Sequence, residues 1–349
     1  MASKKHMTKK TTFKPKQLTK KILSPLRDRS LDIVKSRFGL GVESERKTLE
    51  SIGEKYGITR ERVRQIEQAA LNMIKKSEEY KTEKGSFSEL KNIVDELGGL
   101  VAEEDLLSSI AKDEETKNHI HFYLVLGDDF IKHREDDEFV SRWSVDSDLS
   151  EQVHASLKSL YSNLSDSEII PESEMVNRFI DELKKINVEM RDEEIAKRWL
   201  GLSKNVRKNP LGEWGKAGAS GVKARGIKDF AYLMMRKHGS PMHFREVAKA
   251  VTNTFSKNCH TATCHNELIK DKRFVLVGRG MYALSEWGYK PGVVRDVIKE
   301  ILKREGPLTK EEVVEKVLKE RYLKKNTILV NLQNPKYFKK NKDKKYSPV

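Results

Sequence analysis

The chain has 349 residues, a formal net charge of +15 and an isoelectric point near 9.4. Charged residues make up 35% of it and apolar residues only 37%, which favours several small helical modules over one large core. The positive charge favours a polyanionic partner, either nucleic acid or an anionic membrane surface. No apolar run approaches the ~18 residues that span a bilayer, and the N-terminus lacks the apolar segment of a secretion signal. We therefore expect a cytoplasmic, nucleoid-associated protein without a membrane partner.

Residues 1–17 are rich in lysine and threonine and show no apolar period, which predicts a flexible basic tail. Its charge suits loose phosphate contact or simple solubility, and the composition does not choose between them.

The segment from Thr48 to Leu71 predicts two helices separated by a tight turn. Leu49, Ile52 and Tyr56 recur at helical spacing, and Gly57 stands where a helix often ends in a left-handed residue. Gly53 has no side chain, so another helix is expected to cross close to it.

Thr59 is a candidate N-cap of the second helix, with Glu61 near its positive end. One stripe of this helix is expected to be buried, and the other carries long polar side chains. The apolar stripe consists of Val63, Ile66, Ala70 and Ile74, and the polar one of Arg60, Glu61, Arg64, Gln65 and Gln68. The pattern is that of a helix-turn-helix whose second helix suits a DNA major groove, although a merely solvated face has similar residues.

Together with the upstream run S-P-L-R-D-R-S-L-D-I-V-K-S-R-F-G-L, the motif T-R-E-R-V-R-Q-I-E resembles region 4 of primary bacterial sigma factors, over Leu18–Lys76. The resemblance implies promoter recognition and contact with RNA polymerase. It implies that Arg60, Glu61 and Gln65 read base edges, while Thr59, Arg62, Arg64 and Lys75 contact the DNA backbone. The side chains suit these roles, since arginine donates to guanine, glutamate accepts from cytosine and glutamine pairs with adenine. Asn72 and Met73 replace two basic residues of the family pattern.

No segment resembles the aromatic-rich sigma region that melts promoter DNA, so strand opening is not expected.

Beyond a short polar linker expected at Lys81–Ser86, a weak internal repeat organises the chain. Each copy reads as three helices followed by a β-hairpin with a polar tip, which is the pattern of a winged helix. The predicted fold is therefore mainly α with small β-hairpin wings: a sigma region 4-like helix-turn-helix (18–80) followed by tandem winged-helix modules. These modules are placed at 86–147, 150–220, 221–289 and 291–349. Trp143, Trp214 and Trp287 recur at wing ends and are expected to close the hairpins from inside.

The third copy contains G-S-P-M-H-F-R-E-V-A-K-A-V and D-K-R-F-V-L-V-G-R-G-M-Y-A-L-S-E-W. These runs resemble the HARE-type helix-turn-helix, which is similar to the N-terminal domain of the RNA polymerase delta subunit. The resemblance implies a role with nucleic acid or polymerase and no catalytic activity.

A glycine-rich basic loop lies in the second copy, between Trp199 and Gly226. Glycine lets backbone amides approach phosphate, and no nucleotide-binding P-loop pattern occurs. An interdomain linker is the competing interpretation. Across this loop and the third copy, the candidate phosphate contacts are Lys204, Arg207, Lys208, Arg225, Arg245, Arg273 and Arg279.

Two apparent chemical clusters are set aside. Cys259 and Cys264, each followed by histidine, match no usual zinc spacing, so no metal is expected. Asp192, Glu193, Glu194 and Lys197 resemble a nuclease cluster, but a charged solvated helix face explains them better. No catalytic residues, cofactor or small-molecule substrate are expected.

Two functions follow from the sequence. The first is a bacterial sequence-specific DNA-binding transcription regulator that acts at double-stranded, promoter-like DNA together with RNA polymerase core. The alternative is a delta-like accessory subunit of RNA polymerase whose helices bind mainly protein.

Overall fold

The computed structural model describes residues 11–41, 44–184, 192–289, 293–321 and 324–349. The protein is mainly helical with small antiparallel sheets, as the composition predicts. Two compact units are present: unit 1 holds the described residues up to Ser165 together with 170–207, and unit 2 holds 166–169 and the residues from Lys208 onward.

Unit 1 begins with six helices and continues with a small sheet flanked by two more. The helices are α1 (Pro15–Ile22), α2 (Asp28–Phe38), α3 (Leu49–Tyr56), α4 (Arg60–Lys76), α5 (Glu78–Thr82), α6 (Lys84–Glu96), α7 (Glu103–Ile110) and α8 (Glu114–Leu126). The strands are β1 (Leu100–Ala102), β2 (Ile131–His133) and β3 (Arg142–Ser144), in the antiparallel order β1-β3-β2.

Helix α8 is the centre of the main hydrophobic core of unit 1. Residues 117–124 of this helix are all buried, so it is surrounded by other elements on every side. This core is one continuous cluster of side chains, whose members range in sequence from Leu18 in α1 to Trp143 in β3. The segments predicted as modules 18–80 and 86–147 therefore share one core.

The predicted linker at Lys81–Ser86 is wrong, because α5 and α6 occupy it almost completely. Tyr80 and Phe87 flank this segment with their ring centroids 5.0 Å apart, and the Tyr80 hydroxyl donates to the carbonyl of Leu126 at 3.2 Å. Apolar anchors on both sides hold this polar stretch in helical form.

The described part of the predicted N-terminal tail, residues 11–17, is structured. Residues 1–10 lie outside the described residues, but α1 begins at Pro15, within the range predicted to be flexible. The ring of Phe13 packs edge-on against Tyr123 at 5.8 Å. The backbone N–H of Thr12 also donates to Glu89 at 2.6 Å, and Lys16 pairs with Glu115 at 2.6 Å. These isolated contacts, which show no periodic pattern in sequence, hold the described part of the tail.

The boundary between the units falls within the segment that was predicted as the second module. This segment contains α9 (Ser147–Asn163), β4 (Ile169–Ile170), α10 (Glu172–Lys184), α11 (Glu193–Leu200), β5 (Val206–Lys208) and β6 (Trp214–Lys216). Within unit 1, the indole N–H of Trp199 in α11 donates to the carbonyl of Leu100 in β1 at 3.0 Å.

Unit 2 contains two successive sets of three helices and a hairpin. The first comprises α12 (Ile227–His238), β7 (Met242–His243), α13 (Phe244–Phe255), α14 (Thr261–Lys270), β8 (Phe274–Gly278) and β9 (Met281–Leu284), with the sheet order β7-β9-β8. The second comprises α15 (Val294–Glu305), α16 (Lys310–Glu320), α17 (Lys325–Leu332), β10 (Phe338–Lys340) and β11 (Tyr346–Pro348). These elements follow the predicted order, and each set has a hydrophobic core of its own.

The recurring tryptophans behave largely as expected. Trp143 and Trp214 are buried, and the indole N–H of Trp143 donates to Glu103 at 2.8 Å. Trp287 is partly buried, in a short 3-10 helix after β9. None of the helices in the described ranges is both long and apolar enough to cross a membrane.

Unit 1 holds several histidines that bind protons weakly. Burial lowers the pKa of His119 and His121, and it lowers that of His154 to about 4. His154 accepts a hydrogen bond from Arg142 Nε at 2.7 Å, which requires an unprotonated ring nitrogen. These histidines therefore favour the folded state only while they are neutral.

Acidification is expected to destabilise unit 1 over the pH range in which these buried histidines would take up protons on unfolding. In the unfolded chain a histidine has a pKa of about 6.5, and in the folded protein that of His154 is about 4. Above about pH 6.5 the histidine is neutral in both states and does not oppose folding. As the pH falls from there towards about 4, only the unfolded chain binds the proton, so the folded state loses stability. The free energy of opening, measured by hydrogen exchange on peptides of unit 1, should drop by on the order of 1–2 kcal/mol between about pH 7 and about pH 5. His154→Gln, whose amide oxygen still accepts from Arg142, should reduce this dependence. The exposed His260→Gln should leave it unchanged, and equal effects of the two substitutions would refute the assignment.

Candidate nucleic-acid interface

Helices α3 and α4 form the predicted helix-turn-helix, and each begins at a threonine cap. The side chain of Thr48 accepts from the backbone N–H of Ser51 at 3.1 Å, and that of Thr59 accepts from the N–H of Arg62 at 3.2 Å. Gly57 ends α3 with a left-handed backbone, at φ 59°. Local sequence signals therefore fix both ends of the turn.

Gly53 permits a close approach, but not the one expected from the sequence. A Cβ at this position would lie 2.6 Å from the carbonyl oxygen of Ile58, in the turn that follows α3. The N–H of Ile58 donates to the carbonyl of Gly53 at 3.0 Å. The backbone nitrogen of Arg60, the first residue of α4, would lie 3.5 Å from the same Cβ. The close approach of another helix therefore occurs, but at the N-terminus of α4 and not along its side.

A small apolar cluster holds α2 against the helix-turn-helix. It centres on Ile33, Ile52 and Val63, one from each of α2, α3 and α4, and all three are fully buried. At its edge, the Asp32 carboxylate accepts from Lys55 Nζ at 2.6 Å and from the hydroxyl of Tyr56. The hydrogen bonds from Lys55 and Tyr56 lower the pKa of Asp32, so the carboxylate is ionised at neutral pH.

The polar side of α4 is open to solvent along its first three turns. Val63, Ala70 and Ile74 of the expected apolar stripe are buried, and Ile66 is partly buried. The residues of the polar stripe, and also Thr59 and Arg62, are all exposed. The three residues predicted to read bases, Arg60, Glu61 and Gln65, thus lie on an accessible surface of one helix.

Two hydrogen-bonded pairs organise this surface. Arg64 donates to Glu61 through Nη2 at 2.7 Å and through Nε at 2.9 Å, and Arg62 donates to the amide oxygen of Gln65 at 3.1 Å. The hydrogen bond from Arg64 lowers the pKa of the Glu61 carboxyl, which keeps it a pure acceptor. The Arg60 side chain has no hydrogen bond or ion pair with any described residue, so its guanidinium is available to a ligand.

In the C-terminal half of α4, Lys75 was predicted to contact the DNA backbone, but in the structure it has a partner within the protein. Lys75 is half-buried and forms an ion pair with Asp128, which follows α8. A DNA phosphate would have to compete with this carboxylate. Asn72 and Met73 are both exposed, and the Met73 side chain is 53% accessible.

Two of the remaining candidate phosphate contacts are held by carboxylates of their own unit. Lys204 is held by Glu135 and by the carbonyl of Asp136, at 2.5 and 2.7 Å. The guanidinium of Arg273 donates to Asp271 at 2.7 Å and Asp229 at 2.9 Å, so it is committed to the packing of unit 2. The others are exposed on the surface of their own units: Arg207, Lys208, Arg225, Arg245 and Arg279.

One positioning residue gave no signal in the sequence. Asn118 lies on the buried helix α8 and donates to the carbonyls of Gly39 and Ser44, at 3.2 and 2.6 Å, while accepting from Arg46 at 2.6 Å. It fixes the chain that leads from α2 to α3. Its neighbours in sequence, Lys117 and His119, are polar too, so nothing in the local pattern distinguishes Asn118 or identifies its partners.

The cysteines show no sign of a metal site. Cys259 and Cys264 are both buried, and burial raises the pKa of both thiols, that of Cys264 to about 12. In the ranges that the structure describes, no group of three or more potential ligands is arranged to hold a metal ion.

Comparison with known proteins assigns the helix-turn-helix. Residues 22–76 match the family described as Sigma-70, region 4, a non-enzymatic, DNA-binding helix-turn-helix domain of transcription factors. A segment of 59 residues is 39% identical to the RNA polymerase sigma factor RpoD of Neisseria gonorrhoeae. That segment covers 17% of this chain and only 9% of the relative, so the similarity concerns one domain. The resemblance to region 4 is confirmed within these limits, while the resemblance to a HARE-type domain stays a prediction.

The close approach at Gly53 predicts a specific stability defect. Gly53→Ala should destabilise the protein by about 1–3 kcal/mol, because the new methyl group must displace backbone atoms of the turn. Gly85→Ala is the matched control, since Gly85 lies in α6 with no atom near its Cβ position. It should be neutral or stabilise by less than about 1 kcal/mol. Denaturant unfolding monitored by circular dichroism measures both, and equal effects would contradict the packing described at the turn.

Proposed function

We propose that this protein is a bacterial DNA-binding transcription regulator that places α4 in the major groove of promoter-like duplex DNA. The observation that carries the proposal is the open polar face of α4, which belongs to a domain matching Sigma-70 region 4. A helix-turn-helix presents the N-terminal part of its second helix to base edges. Arg60, Glu61 and Gln65 are exposed in that part of α4.

The proposed roles follow from donor and acceptor chemistry. Arg60 donates to the two major-groove acceptors of guanine, ionised Glu61 accepts from a cytosine amine, and Gln65 pairs with adenine or a neighbouring base. Because Arg64 already holds Glu61, the carboxylate is oriented before DNA binds. The exposed Thr59, Arg62 and Arg64 contact the DNA backbone, whereas Lys75 does so only by leaving Asp128.

We further propose that the helix and hairpin sets after the helix-turn-helix act as tandem winged-helix modules. The set from α12 to β9 is proposed to be of the HARE type. Its exposed arginines at 245 and 279, and the exposed basic residues at 207, 208 and 225, are candidate phosphate contacts. The protein would then act at promoters through recruitment or competition, without opening DNA strands.

One observation favours the alternative of an RNA polymerase accessory subunit. Met73 is 53% exposed at the end of α4, where the family pattern has a basic residue. Exposed methionines are common on protein-binding surfaces, because the side chain adapts to a partner. This surface suits contact with RNA polymerase core in addition to DNA.

Substitution of Arg60 tests the DNA-reading role. The preferred duplex is first selected from a randomised pool with the full-length protein. Arg60→Ala should then reduce discrimination between this duplex and a scrambled one by about 1–3 kcal/mol, while salt-sensitive binding to both persists. Arg178→Ala removes a partly exposed arginine, paired with Glu174, from α10 in the same unit and should leave discrimination unchanged. Competition mobility shifts provide the measurement.

Unchanged discrimination by Arg60→Ala would rule out base reading by α4 as proposed. Co-purification with core polymerase from a nuclease-treated lysate, lost in Met73→Lys but retained in Arg60→Ala, would favour the accessory-subunit alternative.

A further inference from the structure

The C-terminal hairpin of unit 2 carries the densest positive charge in the described chain. The ten residues 336–345 include one acidic residue, Asp343, and six lysines, and all six lysines are exposed. We call this segment the basic hairpin; its lysines are Lys336, Lys339, Lys340, Lys342, Lys344 and Lys345. Such a concentration of like charge repels itself in the absence of a polyanion.

The basic hairpin is firmly attached to its module. Phe338 and Tyr346 are buried in the hydrophobic core formed with α15, α16 and α17. Leu308 and Tyr346 exchange two backbone hydrogen bonds, at 2.7 and 3.2 Å. Lys339 and Lys340 lie in β10, and the other four lysines lie just before this strand or in the connection between β10 and β11. Their backbone positions are therefore restricted before any ligand binds.

Nothing in the described ranges neutralises these six lysines by an ion pair. Several cations elsewhere in the same module do form ion pairs: Arg304 pairs with Glu305 and Glu320, and Lys319 pairs with Glu315. The difference is not a matter of exposure, because both groups lie on the surface. The hairpin thus presents charge that is available to an external anion.

At the tip of the hairpin, a lysine has a backbone conformation that is unfavourable for residues with a Cβ atom. Lys344 has a left-handed conformation with φ 62°, which glycine or asparagine adopts more easily. Asn341 fixes the tip, since its side chain accepts from the N–H of Lys345 at 2.8 Å and its carbonyl accepts from the N–H of Lys344 at 3.1 Å. Backbone strain retained together with a charged side chain points to a binding function.

We propose that the basic hairpin binds the phosphate backbone of duplex DNA without regard to sequence, as a second contact site in addition to the base-reading helix α4. Its cations are all lysines, and no arginine occurs after Arg321. Lysine is a flexible point charge, whereas arginine supplies the bidentate geometry that reads guanine. The hairpin therefore adds affinity without adding sequence preference.

A membrane surface is a poorer match for the same charge. Interfacial binding combines cations with apolar side chains that enter the bilayer. Within the basic hairpin as described, no large apolar side chain is exposed, and the exposed apolar residues nearest to it are two valines, Val330 and Val349. They form no apolar face around the lysines. Duplex DNA is favoured further by the proposed function, on which this inference rests, since one chain that holds DNA at α4 raises the local concentration of phosphate for the hairpin.

The test uses the full-length protein and a triple substitution, Lys339→Gln, Lys342→Gln and Lys344→Gln. The control, Lys299→Gln, Lys303→Gln and Lys319→Gln, removes three lysines from α15 and α16 of the same module. Binding to a scrambled duplex of about 30 base pairs is measured by fluorescence anisotropy from about 50 to about 200 mM salt. Each phosphate contact contributes a slope of about −0.9 in log K against log salt.

The hairpin variant should bind both the selected and the scrambled duplex more weakly, with a slope less steep by about 2–3, and keep the same discrimination between them. The control variant should retain at least most of the original slope. An unchanged slope in the hairpin variant, while Arg60→Ala still reduces discrimination, would overturn this inference and leave the proposed function intact. Binding to anionic phosphatidylserine vesicles that is lost only in the hairpin variant, with DNA binding unaffected, would also overturn it. If the intact protein binds no duplex, both proposals fail together.

Discussion

The packing of α4 determines what unit 1 can present to a partner. Its first half joins the small cluster around Ile33, Ile52 and Val63, and its second half joins the large core around α8 through Ala70, Leu71 and Ile74. Both contacts use one stripe of the helix, so the opposite stripe stays in solvent. Because α8 is surrounded on all sides, any change that loosens it would also free the far end of α4. The rigidity of the candidate DNA-reading surface therefore depends on a helix that carries none of its residues.

The sequence was sufficient for the helix-turn-helix because its signals are local. A capping threonine, a left-handed glycine and a stripe of apolar residues each act within one or two turns. Gly57 and Thr59 both have the predicted roles, and Thr48 caps α3 in the same way as Thr59 caps α4. The polar face of α4 was likewise predictable, since exposure is the complement of the buried stripe.

Partners that are distant in sequence could not be predicted in the same way. An apolar stripe shows that a face is buried but not which element covers it, so the shared core between Leu18 and Trp143 was missed. The same limit applies to charges. Lys75 and Arg273 were predicted to meet phosphate, yet a carboxylate from a distant part of the sequence already pairs with each of them, Asp128 and Asp229 respectively. Asn118 shows the converse, because a residue without any signal in the sequence fixes the chain before α3 through partners more than 70 residues away.

Some charged side chains form ion pairs within the protein, and others remain accessible to a ligand. For this reason the net charge of a protein alone does not identify its binding surface. Surface ion pairs add little stability, but they reduce the field that a distant anion experiences. On α4, the pair between Glu61 and Arg64 cancels charge while it orients an acceptor, which suits selective contact with bases. On the C-terminal hairpin, clustered lysines without ion pairs in the described chain give a strong field with little directional detail. Orientation at one site and charge at the other are the two physical requirements for binding a particular DNA sequence tightly, and here they lie on different elements of one chain.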